Sequence, residues 1–149
     1  MSGTFRASSN AARGDGGGVI ATRGLLIASL GNSTTARSWE DVKAKLEQVE
    51  QAADQPVAAT VIRRPGGELM TIGLGHARSF LNYMPGSMKP PYFTSSGDID
   101  SDEIVSFIFG NQLTEFDLSQ TVPRAVALRV LRHFCETGAL SDEIRWEMD

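Results

Sequence analysis

The sequence predicts an α+β fold, a mostly antiparallel twisted β-sheet with two main helices packed against it. Two segments, residues 38 to 53 and 123 to 137, carry apolar residues at helical spacing. Several short segments alternate apolar and polar residues, as strands with one buried face do. A short turn joins two of these strand segments, and strands joined in this way pair antiparallel.

Length and composition predict how the chain is organised. It has 149 residues, of which 41% are hydrophobic and 21% are charged, which suits one globular domain that buries roughly two thirds of its unfolded surface. Residues 1 to 17 are rich in Gly, Ser, Ala and Asn, with Phe5 as their only aromatic residue, so we expect a disordered tail. The predicted domain then covers residues 18 to 149.

The first elements are an extended segment and a helix. Residues 18 to 30 are predicted to be extended, and Gly24 marks a bulge or a break between two short strands. A helix is predicted over residues 38 to 53, because the Ser38 hydroxyl can accept a hydrogen bond from the first turn and acidic residues follow it. Three apolar residues of this helix share one face: Val42, Leu46 and Val49.

Three strands are predicted next, at residues 56 to 64, 68 to 74 and 78 to 84. The sequence Arg64-Pro65-Gly66-Gly67 between the first two suits a type II turn, since proline fixes the first central φ and glycine allows a positive φ after it. These two strands should therefore form a hairpin. Three apolar residues of the second strand should share a face: Met70, Ile72 and Leu74.

The last third of the chain predicts three more strands and a helix. Gly110-Asn111 is a tight-turn candidate that leads into a strand over residues 112 to 117. The second helix should begin at Pro123, a residue favoured at the first helical position, and end before Gly138, a favoured C-cap. Alternation predicts that two further strands bury these side chains: Val105, Phe107 and Phe109 in one, Ile144, Trp146 and Met148 at the C-terminus.

The net charge of −4 is unevenly distributed along the chain. Residues 1 to 85 hold 9 basic and 7 acidic side chains, whereas residues 86 to 149 hold 5 basic and 11 acidic side chains, a balance of −6. Such a negative field repels nucleic acid and attracts basic protein surfaces. An acidic face that only maintains solubility would give the same balance.

A single cysteine, Cys135, excludes an internal disulfide and fits a reducing compartment, so we expect a cytoplasmic protein. The N-terminal segment lacks the basic and apolar regions of a signal peptide. The longest apolar stretch, residues 19 to 30, is interrupted by Thr22, Arg23 and Gly24, so no membrane-spanning segment is predicted.

Two apparent ligand motifs fail at the positions that carry their chemistry. Residues 98 to 102 open like a calcium loop, but Glu103 stands where glycine is needed and Phe109 where a bidentate Glu is needed. Residues 73 to 75 open like a dinucleotide-binding fingerprint, but Arg78 occupies the third glycine position. We therefore expect no metal ion and no cofactor.

Catalytic residues are not identifiable either. His133 and Cys135 are two positions apart on the second helix, so they point to different faces and are predicted to be a surface histidine and a buried thiol. His76 has no serine or cysteine nucleophile identifiable beside it. The chain also lacks the HxE and CxxC pair that zinc deaminases need. We expect no enzymatic activity, and an enzyme of unknown type is the least favoured function.

A distinctive order of short motifs occupies about the last 60 positions: Gly97-Asp98, Phe107 to Gly110, Thr114-Glu115-Phe116, Val122-Pro123, Ala125, Ala127, Phe134, Thr137-Gly138 and Trp146-Glu147. Upstream, a helix with Trp39 and Val42, the RPGG turn and the IGLG strand at residues 72 to 75 come in matching order. This order resembles the first immunity-protein family (Imm family one) of bacterial polymorphic toxin systems. Members of that family neutralise a partner toxin rather than catalyse a reaction.

The sequence departs from the family pattern at two places. Residues 139 to 142, Ala-Leu-Ser-Asp, follow the glycine that ends the second helix, where many members have Arg-Pro. Ile108-Phe109 stands before a glycine where many members have Phe-Tyr. These positions are expected either to contact a different partner surface or to make no contact with the partner.

The resemblance implies that the partner is a cognate toxin domain, commonly a nucleic-acid-directed deaminase or nuclease. A toxin that grips phosphates must carry a basic groove, which an acidic surface would complement. We predict partner binding by six acidic residues, four in a loop and two on the next short strand: Asp98, Asp100, Asp102, Glu103, Glu115 and Asp117. The alternative is a regulatory or scaffolding module that binds an endogenous protein.

Overall fold

The structure, a computed structural model, describes residues 24–29, 32–52, 57–109 and 112–149. Its elements are β1 (Leu25–Ser29), β2 (Asn32–Ala36), α1 (Trp39–Ala52), β3 (Val57–Ala58), β4 (Thr60–Arg63), β5 (Leu69–Ile72), β6 (Arg78–Ser79), β7 (Leu81–Met84), β8 (Phe93–Ser96), β9 (Ile104–Phe109), β10 (Gln112–Asp117), a 3-10 turn (Leu118–Gln120), β11 (Val122–Pro123), α2 (Arg124–Thr137) and β12 (Arg145–Met148). The predicted tail, residues 18 to 23 and 30 of the predicted extended segment and the predicted turn at Gly110-Asn111 lie outside the described residues. The assignment of residues 18 to 149 to one domain stays a prediction.

Seven strands form the main sheet in the order β12-β8-β7-β5-β4-β1-β2, with every described pair antiparallel. A second sheet has the order β10-β9-β3, in which β9 and β10 form an antiparallel hairpin and β3 lies parallel to β9. The short strands β6 and β11 make a separate antiparallel pair. The predicted α+β fold with a mostly antiparallel sheet is therefore confirmed.

The main core joins the large sheet to both helices. Strands of the sheet contribute Leu25, Ile62, Met70 and Ile72, all fully buried. Helix α1 contributes Val42 and Leu46, as its apolar stripe predicts, whereas Val49 is only half-buried. From α2 five residues are buried: Ala127, Val130, Leu131, Phe134 and Cys135.

Local sequence signals set the helix ends within one residue of the prediction. The backbone N–H of Asp41 donates to the Ser38 hydroxyl at 3.1 Å, which caps α1. Pro123 immediately precedes the first residue of α2. Gly138 ends α2 in the left-handed conformation at φ 77°, and its N–H donates to the Phe134 carbonyl at 2.7 Å.

A side chain from the β4–β5 hairpin also satisfies the end of α2. The Nη1 group of Arg64 donates to the carbonyl oxygens of Cys135 at 2.7 Å and Phe134 at 3.3 Å. The Phe134 carbonyl also accepts from the Gly138 N–H, whereas Arg64 is the only partner of the Cys135 carbonyl among the described residues. A positive charge at this end of the helix also complements the helix dipole. The turn of the hairpin is thereby fastened to the helix that covers the sheet.

That hairpin is confirmed, but the predicted type II turn is wrong. A type II turn needs a positive φ at Gly66. Gly66 does not have one, and the glycine of this turn with a positive φ is Gly67, at 98°. The Gly67 N–H donates to the Arg64 carbonyl at 2.9 Å, and the Arg64 N–H donates to the Glu68 carbonyl at 3.0 Å. This is a type I turn followed by a left-handed glycine, a three-residue hairpin loop.

Two predicted strands are each divided between two sheets. The strand predicted at residues 56 to 64 breaks at Ala59, whose N–H donates to the Ile108 carbonyl at 2.7 Å, so that β3 joins the second sheet and β4 the main sheet. The strand predicted at residues 78 to 84 breaks at Phe80, between β6 and β7. Alternation does not predict β2 or β8 at all, because their sequences, NSTTA and FTSS, are mostly polar.

The terminal strand β12 is an edge strand of the main sheet, and this changes the burial of its side chains. Ile144 and Trp146 pack half-buried against the core, and the indole N–H of Trp146 donates to the Ser141 carbonyl at 2.9 Å. Met148 is 68% exposed, so the prediction that it faces the core is wrong.

We expect Trp146→Ala to lower the free energy of unfolding by about 2 to 4 kcal/mol, because it removes a packed ring and a hydrogen bond. Met148→Ala on the same strand is the matched control and should change it by less than about 0.5 kcal/mol. Chemical denaturation of the two variants measures the difference. Equal effects would show that Trp146 does not pack on the core.

Candidate functional site

All the charged side chains of residues 90 to 123 are negative. This segment contains six acidic residues and no Lys, Arg or His, and the six are those predicted to bind a partner. Each of them is exposed in the structure. This segment therefore presents six charged side chains of one sign to solvent.

The loop that holds four of these acids, residues 97 to 103, is fastened at both ends to the 3-10 turn after β10. The N–H of Gly97 donates to the Ser119 carbonyl at 2.7 Å, and the N–H of Leu118 donates to the Glu103 carbonyl at 2.7 Å. The second bond places Glu103 beside the end of β10. We refer to this loop together with β9 and β10 as the acidic surface.

Strand register brings the remaining two acids onto the same surface. Asp117 lies opposite Ile104, the residue after Glu103, and Glu115 lies opposite Ser106. Residues two apart on a strand share a face, so Glu115 and Asp117 point to the same side of the hairpin. The structure thus places Glu115 and Asp117 on one face of the hairpin, with the backbone of Glu103 at the end of the same two strands and Asp100 and Asp102 in the adjoining loop.

Arg78 contacts the N-terminal end of the loop, at Asp98. Its Nε–H donates to the Thr121 hydroxyl at 2.9 Å and its Nη2 donates to the Thr121 carbonyl at 2.8 Å. The same Nη2 lies 3.4 Å from Oδ1 of Asp98, whose side chain is 84% exposed. An ion pair with so exposed a partner contributes little to stability, so Arg78 acts mainly through Thr121, which is fully buried.

The other five acids of the surface belong to none of the salt bridges found among the described residues. These carboxylates are exposed and hydrated, and like charges close to one another repel. Such a surface favours the approach of a cation or a basic protein surface. Asp117 is also held by its backbone, because its N–H donates to Oε1 of Gln120 at 3.0 Å.

The inner and outer faces of the β9–β10 hairpin differ sharply. The inner face carries Phe107 and Phe116, which are 0% and 7% exposed and pack in an aromatic cluster with Phe80. The outer face carries Ile104, 54% exposed, and Leu113, 62% exposed, beside the acids. Exposed apolar residues next to charges are typical of protein-binding surfaces.

Ile104 and Leu113 are the residues that the sequence analysis missed. They were overlooked because apolar strand residues are usually assigned to a core. The alternation of Val105, Phe107 and Phe109 contained the signal, since it already places Ile104 on the opposite face. Register then places Leu113 on that face as well, opposite Ile108.

The described residues hold no group of three or more His, Cys, Asp and Glu side chains placed to bind a metal ion. His133 is exposed and Cys135 is fully buried, so the two point to different faces as predicted. Burial raises the pKa of the Cys135 thiol to about 12, which keeps it protonated and unreactive. His76 is half-buried with its ring edge against Phe107.

Across the described part of the chain, no helix has the length and apolar character needed to cross a membrane. Residues 31–148 match the family described as Immunity protein Imm1. This is the family that the order of motifs in the last third of the chain resembles, and the match extends through β2 to β12. No curated protein matches the chain.

We expect Gly97→Ala to destabilise the protein by about 1 to 3 kcal/mol, because a Cβ at this position would overlap the Thr121 carbonyl oxygen. Gly66→Ala is the control, since its Cβ would meet only the flexible end of the Glu68 side chain. Thermal unfolding compares the two variants. A Gly97→Ala protein as stable as Gly66→Ala would mean that the loop is not held against Thr121.

A second expectation concerns the Cys135 thiol, whose pKa burial raises from 9.0 to about 12. Since the folded value is the higher one, the stability that the neutral thiol contributes is present below about pH 9 and is lost as pH rises toward 12. The free energy of unfolding should therefore fall less between pH 9 and 11 in Cys135→Ala than in the native protein. Identical slopes would contradict the burial of this thiol.

Proposed function

Since this chain belongs to the Imm1 family of immunity proteins, we propose that it binds a cognate bacterial toxin domain and neutralises it by covering the toxin's active site. The observation that carries this proposal is the acidic surface, with six exposed acids and no basic residue between residues 90 and 123. A surface of this kind binds a partner by charge and shape. It needs no catalytic groups of its own, and we propose that the protein is not an enzyme.

The toxin domain that fits this surface is one that acts on nucleic acid, such as a deaminase or a nuclease. An enzyme of that class must attract a phosphate backbone, and it does so with a groove rich in Lys and Arg. An inhibitor that presents carboxylates to the groove competes with the nucleic acid for the same charges. Asp98, Asp100, Asp102, Glu103, Glu115 and Asp117 are the partner-binding residues in this proposal.

Charge also determines how the complex would form. Complementary fields raise the rate of encounter, while the contacts made after docking determine how slowly the complex dissociates. The five acids without a salt bridge among the described residues are free to act in this way. The single cysteine fits a reducing compartment, and we propose that the protein meets its toxin in the cytoplasm.

A regulatory or scaffolding module that binds an endogenous protein is the alternative function, and an acidic surface would serve it equally well. Gene neighbourhood separates the two. A gene for a large secreted protein with a C-terminal toxin domain, directly upstream of the gene for this protein, supports immunity, whereas an isolated gene opposes it. A pull-down with the product of the neighbouring gene tests the same distinction directly.

We expect reversal of Asp100, Asp102 and Glu103 to Lys to slow association with the toxin domain encoded by the neighbouring gene. Asp98 stays unchanged because it pairs with Arg78. The difference from the native protein should shrink toward about 1 M salt, where the screening length is roughly 3 Å. Stopped-flow mixing at several salt concentrations measures these rates.

The matched control reverses three exposed acids outside the acidic surface: Glu40, Glu47 and Asp142. It changes the net charge by the same amount, so a difference in rate between the two variants reflects where the charges lie and not the total charge. We expect a smaller loss of rate in the control. Equal rates for both variants at low salt would rule out the acidic loop as an interface and leave the toxin-binding function to rest on the family.

A further inference from the structure

In the part of the chain that the structure describes, the strand β10 is an edge of the second sheet. The order of the sheet is β10-β9-β3, so β9 lies between the other two and β10 has a neighbour on one side. Its ladder with β9 runs through six consecutive pairs without a bulge, and its sequence, QLTEFD, contains no Pro and no Lys. Bulges, Pro and Lys are among the features that protect the edges of soluble proteins, and β10 has none of these three.

The direction of the backbone groups along β10 follows from its hydrogen bonds. In an antiparallel pair, residues point their N–H and C=O groups alternately toward the neighbour and away from it. The N–H of Leu118 donates to Glu103 on the side of β9. Alternation therefore directs the backbone groups of Phe116 and Thr114 toward β9, and those of Asp117, Glu115 and Leu113 toward the free edge.

One of the three outward N–H groups is already occupied, because that of Asp117 donates to the Gln120 side chain. The N–H groups of Leu113 and Glu115 have no partner among the described residues. The carbonyl groups of these two residues also point toward the free edge. Unpaired donors and acceptors at strand spacing form a template for another extended chain.

The side chains along this edge indicate which chain would fit. Leu113, Glu115 and Asp117 share the outer face, and all three are exposed. On an added strand, the residues directly opposite them would be stabilised by an apolar contact at Leu113 and by opposite charge at Glu115 and Asp117. The matching segment is therefore extended. It carries basic residues opposite Glu115 and Asp117, two positions apart, and an apolar residue opposite Leu113, two positions further along.

The two edges of the main sheet, among the described residues, offer less. The edge strand β2 has the sequence NSTTA, which contains no charged residue that could select a partner. The edge strand β12 carries one base and one acid, Arg145 and Glu147, which favour neither sign. Among these three edges, β10 is the one whose charges are all of one sign.

We propose that β10 binds an extended, basic segment of the cognate toxin domain by adding it as a fourth strand to the second sheet. This inference rests on the proposed function and names the element by which the toxin is held. Main-chain hydrogen bonds to Leu113 and Glu115 supply affinity, while the carboxylates of Glu115 and Asp117 select a segment that carries Lys or Arg.

Amide hydrogen exchange of the native protein, with and without the toxin domain encoded by the neighbouring gene, tests this pairing. The amides of Leu113 and Glu115 should exchange rapidly in the free protein and at least about tenfold more slowly in the complex. The amides of Thr114 and Phe116, which face β9, should be protected in both states. Protection of Leu113 and Glu115 in the free protein would overturn the proposal, since the chain itself would then cover the edge.

A proline variant tests the same hydrogen bonds independently. Leu113→Pro removes an outward N–H and leaves the inward ladder with β9 intact, as proline in an edge strand can. Leu113→Ala is the matched control, because it removes the same side chain and keeps the amide. We expect the proline variant to bind the toxin domain about tenfold more weakly than the alanine variant.

The two levels of the proposal fail in different ways. A toxin domain that does not bind the native protein overturns the proposed function, and strand addition with it. A complex that forms while the amides of Leu113 and Glu115 stay unprotected overturns strand addition only. If Leu113→Pro fails to fold, the exchange experiment on the native protein decides the question.

Discussion

The packing of Phe80 is the interaction on which the candidate site depends. Its ring is fully buried, stacks on Phe116 with ring centroids 4.0 Å apart and meets Phe107 edge to face at 5.0 Å. Gly73 leaves room for it, since a Cβ there would overlap the ring. Aromatic contacts of this geometry add to the free energy of burial. They fix the inner face of the β9–β10 hairpin, and the acids on the outer face are exposed as a consequence.

The same short segment also positions the acidic loop. Two residues before Phe80, Arg78 binds the hydroxyl and the carbonyl of Thr121, and β6 pairs with β11 immediately before α2. A guanidinium group with fixed partners orders the backbone around it because its donors are rigid and planar. Residues 78 to 80 therefore connect the loop, the hairpin and the start of α2. The loop that carries four of the acids is held by backbone hydrogen bonds at both ends, which lowers the entropy lost when a partner binds it.

How much the sequence predicts depends on the range of the interactions involved. The helix ends were predictable because Ser38 and Gly138 act within one turn of their own position. The strand breaks at Ala59 and Phe80 were not, since both are decided by pairing with distant strands. The exposure of the six acids followed from their chemistry. The exposed face of Ile104 is indicated by the alternation of Val105, Phe107 and Phe109, whereas that of Leu113 depends on the register of β10 with β9, which only the fold determines.

The charges on β10 would act on two kinds of association at once. An unprotected edge strand can pair with the same strand of a second copy. An antiparallel pair centred on Glu115 would place that carboxylate opposite its copy, with Asp117 opposite the exposed Leu113. Like charges opposite each other destabilise a strand pair, whereas a basic strand would gain from the same positions. The acids can therefore keep the edge available in the free protein and still favour the one partner that brings the opposite charge.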